Sequence, residues 1–193
     1  MRRKNKKNYT GIIITLFIAF IMITSIIGFI FQGTSSTQTV SYNGQKFTQT
    51  NLGYRTIFEK TPYYFAYTPG DVEHLQTPDV AQLRNALQID LTYDFNSSFK
   101  EEIAGSIYEF ASVLSNKGIY VRQGFTKNNT YGAPILTCDD ATEFLPIFYY
   151  RESNKTEVTI ENYCIIMNSA SPGSFLAYTD KILFQYLGII ENG

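Results

Sequence analysis

The strongest structural signal in the chain lies in residues 89–125, IDLTYDFNSSFKEEIAGSIYEFASVLSNKGIYVRQGF. Apolar and polar side chains alternate over residues 89–95, which predicts a half-buried strand. Ser98 and Glu101 have the spacing of a helix capping box, and apolar side chains then recur every three or four positions. A second strand-like run, residues 119–125, follows directly. A strand, a helix and a strand with short connections predict a right-handed βαβ unit with parallel strands.

The residues before this unit predict an antiparallel β-meander. Asn43-Gly44 lies between alternating apolar residues, and this dipeptide is the strongest short signal for a hairpin turn. Turn residues at 51–53 and 60–62 separate two further strands. A short helix is predicted from Thr77 to Leu87, with Leu87 on its buried side.

The residues after the βαβ unit predict three more strands and a closing helix. The strands are expected at residues 146–151, 156–160 and 163–167, and Ser171-Pro172 has the form of a helix start. The predicted fold class is therefore α+β. In this fold the meander leads into a mixed sheet with helices on one side and a C-terminal helix.

The N-terminal residues predict a transmembrane anchor. Residues 11–31 carry no charge, and as a helix they would extend about 31 Å, the thickness of a bilayer hydrocarbon core. Residues 1–10 contain Lys and Arg but no acid, so the positive-inside rule places this tail in the cytoplasm. Residues 32–39 would be a spacer and residues 40–193 an extracytoplasmic domain. The alternative is a cleaved signal peptide, but the apolar run is longer than a usual signal core and lacks a small-x-small cleavage pattern.

The charge and the single histidine of the chain limit the kinds of ligand that it can bind. After Gln32 the chain holds 11 Lys and Arg against 17 Asp and Glu, and a mildly acidic domain is a poor candidate for binding nucleic acid. The predicted partners are the lipid bilayer, through residues 11–31, and an extracytoplasmic protein or glycan. A single His leaves little scope for His-based catalysis or metal binding, and we predict no metal and no cofactor.

The two cysteines, Cys138 and Cys164, both follow the predicted anchor. An even number of cysteines in an oxidising compartment predicts a disulfide. The alternative is a pair of buried free thiols, because cysteine also packs as a small apolar residue.

Four aspartates are the candidate chemical groups: Asp90, Asp94, Asp139 and Asp140. They could converge at the carboxyl ends of the strands, where open sheets bind ligands, and there hold Ca²⁺ or supply an acid and a base. The alternative is a solvated strand face together with acids that begin helices.

Three Asn-x-Ser/Thr sequences are glycosylation acceptors if this domain is exported, with Asn96, Asn128 and Asn154 as the acceptor residues. In a chain rich in Asn and Thr some of these sequences would arise by chance. The chain shows no phosphate loop, dinucleotide fingerprint, zinc-ligand spacing or nucleophile elbow.

Four strings carry a resemblance to a known group of proteins: YNGQKF at 42–47, ILTCDDAT at 135–142, NYCII at 162–166 and LGI at 187–189. Together the chain resembles uncharacterised archaeal-type single-span membrane proteins, which have a basic tail, one N-terminal helix and an exported α+β domain. The resemblance implies this layout and a paired-cysteine arrangement, and it implies no catalytic residue.

Three functions remain open at this point. The first is a membrane-tethered binding or cell-envelope interaction domain. The second is an exported hydrolase or Ca²⁺-dependent enzyme that uses the four aspartates. The third is a pilin-like filament subunit, although Thr10-Gly11 lacks the basic-glycine junction of pilin leaders and Thr15 and Leu16 lie where an acidic residue is expected.

Overall fold

The computed structural model describes residues 14–24 and 38–191. The chain divides into two units, Met1–Thr37 and Gln38–Gly193. In the first unit, residues 14–24 form a helix, α1, whose side chains are exposed. Within the described ranges no helix has the length and apolar character needed to cross a bilayer.

The predicted transmembrane span, residues 11–31, lies partly outside the described residues. The basic tail at 1–10 and most of the spacer at 32–39 also lie outside them. The anchor therefore stays a prediction, and the structure supports only the helical conformation of residues 14–24.

The second unit begins with a four-stranded antiparallel sheet in the order β1-β2-β3-β4, which confirms the predicted meander. The strands are β1 (Thr39–Tyr42), β2 (Gln45–Thr50), β3 (Gly53–Phe58) and β4 (Thr61–Phe65). Asn43 and Gly44 both have positive φ, 47° and 80°, as a two-residue hairpin turn requires. Glu59 and Lys60 form a second turn with positive φ, of 49° and 70°.

Two short helical segments follow the first sheet: α2 (Pro69–Val72) and a 3₁₀ turn, Ala81–Asn85. The predicted helix from Thr77 to Leu87 is therefore wrong in length. Leu87 is 82% exposed, because the chain has already turned toward the next strand at that point.

The second sheet has five strands in the order β6-β5-β7-β9-β8, and only β8 runs antiparallel to its neighbour. Its strands are β5 (Gln88–Tyr93), β6 (Tyr120–Phe125), β7 (Ile147–Glu152), β8 (Glu157–Glu161) and β9 (Cys164–Ser169). The long helices are α3 (Lys100–Asn116), which connects β5 to the parallel strand β6, and α4 (Pro172–Tyr186). The α+β class, the mixed sheet and the C-terminal helix are confirmed.

One side of this sheet, the helical face, forms the main core with α3 and α4. Phe148 of β7 packs against Phe110 of α3 with ring centroids 4.6 Å apart, and Tyr150 packs against Phe175 of α4. On the other side of the helices, Phe184 contacts Phe47 and Phe65 of the first sheet, so the helices lie between the two sheets. The core is large because apolar residues enter it from three layers.

The opposite side of the second sheet, the loop face, is covered by the segment at 126–146. Gly124 on β6 permits the close approach of this segment, because a Cβ there would lie 2.5 Å from the carbonyl oxygen of Pro134. Asp90 and Thr92 of β5 are buried on this face. The strand predicted at residues 89–95 was expected to be half-buried, but β5 is buried on both sides because the segment at 126–146 covers its second side. The alternation of apolar and polar residues does not show that a distant loop will cover the polar side.

Candidate functional site

A cleft of about 580 Å³ lies at the carboxyl ends of the neighbouring parallel strands β5 and β7. The chain leaves β5 through α3 toward β6 on one side and leaves β7 toward β8 on the other. Strand ends whose connections diverge in this way are the usual ligand sites of open sheets. We call this site the strand-end cleft; it is lined by Asp94, Asn96, Ser97 and residues 149–154.

Glu152, the last residue of β7, organises the near wall of the cleft. Its carboxylate accepts hydrogen bonds from Ser97 Oγ at 2.8 Å, from the Ser98 backbone N–H at 2.9 Å and from Ser98 Oγ at 2.8 Å. These donors, first the Ser97 hydroxyl, lower the pKa of Glu152. The turn between β5 and α3 is therefore fixed to the end of β7 by one ionised carboxylate.

This arrangement corrects the predicted capping box at Ser98 and Glu101. The helix begins at Lys100 after Phe99, and no side chain caps its first turn. Ser98 donates instead to Glu152, 54 positions further along the chain. A carboxylate from a neighbouring strand is a stronger acceptor for this hydroxyl, since hydrogen bonds to charged groups are shorter and stronger than neutral ones.

Asp94 forms the edge of the cleft next to β6. Its carboxylate accepts a hydrogen bond from Lys127 Nζ at 2.5 Å and another from the Asn96 backbone N–H at 3.0 Å. The hydrogen bond from Lys127 lowers the pKa of Asp94 and raises the pKa of Lys127. Asp94 is therefore ionised at neutral pH and already has a cationic partner.

Arg151 supplies the positive charge inside the cleft. Its Nε–H donates to Asn168 Oδ1 at 2.6 Å, and its guanidinium lies 5.7 Å from the ring centroid of Tyr149. The side chain is exposed, and a guanidinium has four further N–H donors beyond Nε–H. Arg151 can therefore bind an acceptor group of a ligand while β9 and the tyrosine ring hold it in place.

A smaller cavity of about 320 Å³ adjoins the cleft on the loop face and shares Tyr149 and Arg151 with it. Asp139 lines this cavity. The neighbouring Asp140 accepts hydrogen bonds from the backbone N–H and the hydroxyl of Thr137, at 2.9 and 3.0 Å, and these bonds lower its pKa. Asp140 thus caps the 3₁₀ turn Cys138–Asp140.

The fourth predicted aspartate, Asp90, lies in the loop face rather than at a strand end. It is 2% exposed, pairs with the guanidinium of Arg122 and accepts a further hydrogen bond from Gln88 Nε2 at 2.8 Å. Asp90 and Asp94 therefore belong to separate ion pairs. In the part of the chain that the structure describes, no three His, Cys, Asp or Glu side chains are placed to hold a metal ion.

The two cysteines form the predicted disulfide. Cys138 and Cys164 have their Cα atoms 5.2 Å apart and their sulfur atoms bonded. Cys164 is the first residue of β9, and Cys138 belongs to the covering segment of the loop face. The disulfide thus fastens this segment to the sheet below the small cavity.

The three predicted glycosylation acceptors are all exposed. Asn96 and Asn154 lie on two walls of the strand-end cleft, and Asn128 lies in the covering segment. Glycosylation itself stays a prediction. The consequence of the geometry is that a glycan on Asn96 or Asn154 would occupy the mouth of the cleft.

Sequence reasoning located the carboxyl ends of the strands but missed three residues that form the site: Tyr149, Arg151 and Glu152. The run Tyr149-Tyr150-Arg151-Glu152 reads as an ordinary strand end. Its one signal is a pair of opposite charges where β7 ends, and this signal is too common to identify a site on its own.

No family model, no curated protein and no solved structure matches this chain. The resemblance to archaeal-type single-span membrane proteins therefore stays a prediction. The function is argued below from the geometry of the site.

Proposed function

We propose that this protein is a membrane-anchored extracytoplasmic binding domain, and that the strand-end cleft is its ligand site. The observation that carries the proposal is the position of this cleft between β5 and β7, where the connections diverge and where polar side chains from both strand ends meet. The apolar run at 11–31 and the disulfide between Cys138 and Cys164 support the membrane and extracytoplasmic parts, since disulfides persist in oxidising compartments.

The protonation states of the cleft favour binding over catalysis. The pKa values of Asp94 and Glu152 are both lowered by hydrogen-bond donors, so both groups are ionised at neutral pH. A general acid needs a pKa near the working pH, and these carboxylates lie well below it. Glu152 holds the turn before α3, and Asp94 holds Lys127 and the backbone of Asn96.

The groups left for a ligand are neutral amides, an arginine and an aromatic ring. Without a glycan, Asn96 and Asn154 each offer an acceptor and two donors, and Arg151 offers donors beside the ring of Tyr149. Such a set matches a ligand rich in hydroxyl groups, which presents donors and acceptors together with apolar C–H faces. We therefore propose a glycan of the cell envelope as the ligand class.

Binding of the full-length chain, in detergent micelles, to a panel of soluble cell-envelope oligosaccharides tests this proposal. Amide NMR signals of residues 94–98 and 149–154 should shift on binding. Arg151→Ala should weaken the affinity at least about tenfold, which corresponds to 1.4 kcal/mol. Arg55→Ala, a change of the same kind at an exposed site on β3, is the control and should leave the affinity unchanged.

Signals that shift only outside these residues, or equal affinity in the Arg151→Ala variant, would overturn the cleft as the ligand site. The location is tested separately by cell fractionation with added protease. The full chain should stay with membranes, and its C-terminal unit should be cleaved only from the outer side.

A further inference from the structure

Two acidic side chains meet in the helical layer, away from the strand-end cleft. Glu109 lies on α3 and Asp180 on α4, two helices that pack against each other, and the two carboxyl groups lie close enough to act on each other's pKa. Asp180 is fully buried, and its Oδ2 accepts the backbone N–H of Tyr67 at 2.8 Å. This acid pair, Glu109 and Asp180, therefore joins α3, α4 and the segment that follows β4.

Each member of the pair has one buried oxygen that receives no hydrogen bond in the described part of the chain. Glu109 Oε1 and Asp180 Oδ1 are both buried, and neither receives a hydrogen bond from another group of the described chain. Two ionised carboxylates in contact would repel each other, and each would retain an unsatisfied buried oxygen. A single proton held between the two groups supplies the missing donor and removes one of the two charges.

Two cations that belong to α4 or contact it have other partners. Lys181, the next residue on α4, donates its Nζ–H to the carbonyl oxygen of Glu73 at 3.1 Å. Arg84 of the 3₁₀ turn donates to the carbonyl oxygen of Gln185 at 3.3 Å. Neither ammonium nor guanidinium therefore neutralises the acid pair.

Other ionisable groups come from the elements packed around α3 and α4. Asp71 of α2 accepts hydrogen bonds from Thr68, and the hydroxyl of the buried Tyr150 on β7 lies 3.4 Å from Thr179 Oγ1. Tyr63 lies on β4, and Glu73 follows α2 and accepts the hydrogen bond of Lys181 through its carbonyl oxygen. None of these groups carries a positive charge that would neutralise the pair.

We propose that Glu109 and Asp180 share one proton in the folded protein and form a pH-sensitive contact that holds α3, α4 and the segment after β4 together. At low pH the contact is complete. At higher pH the proton leaves, two like charges face each other inside the protein, and the segment after β4 is released from the helices.

The raised pKa values of the two carboxyl groups determine how folding stability changes with pH. Burial raises the pKa of Glu109, and burial together with Glu109 raises the pKa of Asp180 well above its usual range. The folded state then binds more protons than the unfolded state above about pH 4, where ordinary carboxyls titrate. Stability from the pair is therefore full below about pH 4 and is lost as pH rises toward the raised pKa values.

Urea unfolding of the full-length chain as a function of pH tests the proposal. Asp180→Asn replaces the protonated acid with an isosteric amide that donates permanently to Glu109. The folding equilibrium constant of this variant relative to the parent should rise with pH, by up to about tenfold per pH unit, between about pH 4, where the unfolded parent loses the proton, and the raised pKa at which the folded parent loses it. Glu157→Gln, an exposed acid on β8, is the control and should run parallel to the parent.

Parallel pH profiles for the parent and Asp180→Asn would overturn the proposal. If Asp180→Asn does not fold, the titration of ¹³C-labelled carboxyl groups in the parent gives the same answer. Two carboxyl resonances should then titrate together above the range of ordinary acids, and their amide neighbours at 66 and 67 should shift with them. Titration of every Asp and Glu at ordinary pH values would contradict the shared proton.

Discussion

The two faces of the five-stranded sheet are held by different kinds of force. The helical face is a continuous apolar core in which aromatic side chains of β7 pack against α3 and α4. The loop face has a small apolar cluster, Ile147, Cys164 and Ile166, with Cys138, Ala141 and Tyr149 at its edge. The covering segment is attached there by the disulfide and by a hydrogen bond from Thr92, and on the same face the ion pair of Asp90 with Arg122 joins β5 to β6.

This difference shows how one sheet can support two layers of unequal size. Apolar burial is non-directional and scales with area, so it stabilises two long helices well. A loop buries too little area and must be fixed by directed bonds at a few points. The strand-end cleft and its smaller neighbour lie next to this second layer, so their shape depends on those few bonds.

Removing the ring of Phe148 should have the largest effect, because this side chain lies at the centre of the helical face and is fully buried. Phe148→Ala should lower the free energy of unfolding by about 3–5 kcal/mol, measured by urea denaturation. Phe144→Ala makes the same change at a ring that is 68% exposed and should have little effect. A loss below about 1 kcal/mol at Phe148 would contradict a helical face stabilised by burial.

Removing the disulfide should destabilise the loop face of the sheet. The double variant Cys138→Ala, Cys164→Ala should lose about 3 kcal/mol, chiefly through the greater freedom of its unfolded chain. In hydrogen exchange the amides at 126–146 should lose protection first, while α3 and α4 keep theirs. Earlier loss in the helices would show that the two faces are not independent.

The ion pair should contribute less than the disulfide. Arg122→Ala leaves the carboxylate of Asp90 buried with Gln88 as its remaining side-chain donor, so we expect a loss of about 1–3 kcal/mol. Adding Asp90→Asn should recover part of this loss, because a neutral amide is less costly to bury than an unpaired charge. No recovery in the double variant would mean that Arg122 acts through packing alone.

The smallest change concerns one buried hydroxyl. Thr92 Oγ1 donates to the carbonyl oxygen of Leu136 at 2.9 Å, and Thr92→Val keeps the shape while removing the donor. The free energy of unfolding should fall by about 1 kcal/mol. Thr159→Val on the partly exposed strand β8 is the matched control and should leave stability unchanged within error.

Local sequence signals predicted most of the elements. Asn43-Gly44 predicted the first hairpin, and the strand-helix-strand run at 89–125 predicted the parallel pair β5 and β6. These signals depend on neighbours within a few positions, so they survive in the fold. The start of α3 was misplaced because Ser98 is bonded to Glu152, a partner that no local pattern contains.

The sequence predicted the position of the candidate site but not most of the residues that form it. The carboxyl ends of the strands do form a cleft, and Asp94 does line it. Asp90, Asp139 and Asp140 have separate surroundings, because Asp90 lies inside β5 and pairs with Arg122, whereas Asp139 and Asp140 belong to the covering segment. Arg151 and Glu152 reach the cleft only because β7 pairs next to β5.

The order of residues alone specified the α+β class, the meander and the parallel βαβ connection, because each depends on periodicity or turn chemistry within a short stretch. The cysteine pair followed from an even number of cysteines after the predicted anchor. The order of the strands in the second sheet and the burial of charged side chains could be determined only from the tertiary structure. Glu109 and Asp180 lie on different helices and look like ordinary surface acids in the sequence. Packing of α3 on α4 brings the two carboxyl groups together. Their burial depends on contacts between residues far apart in the sequence, which a local pattern does not contain.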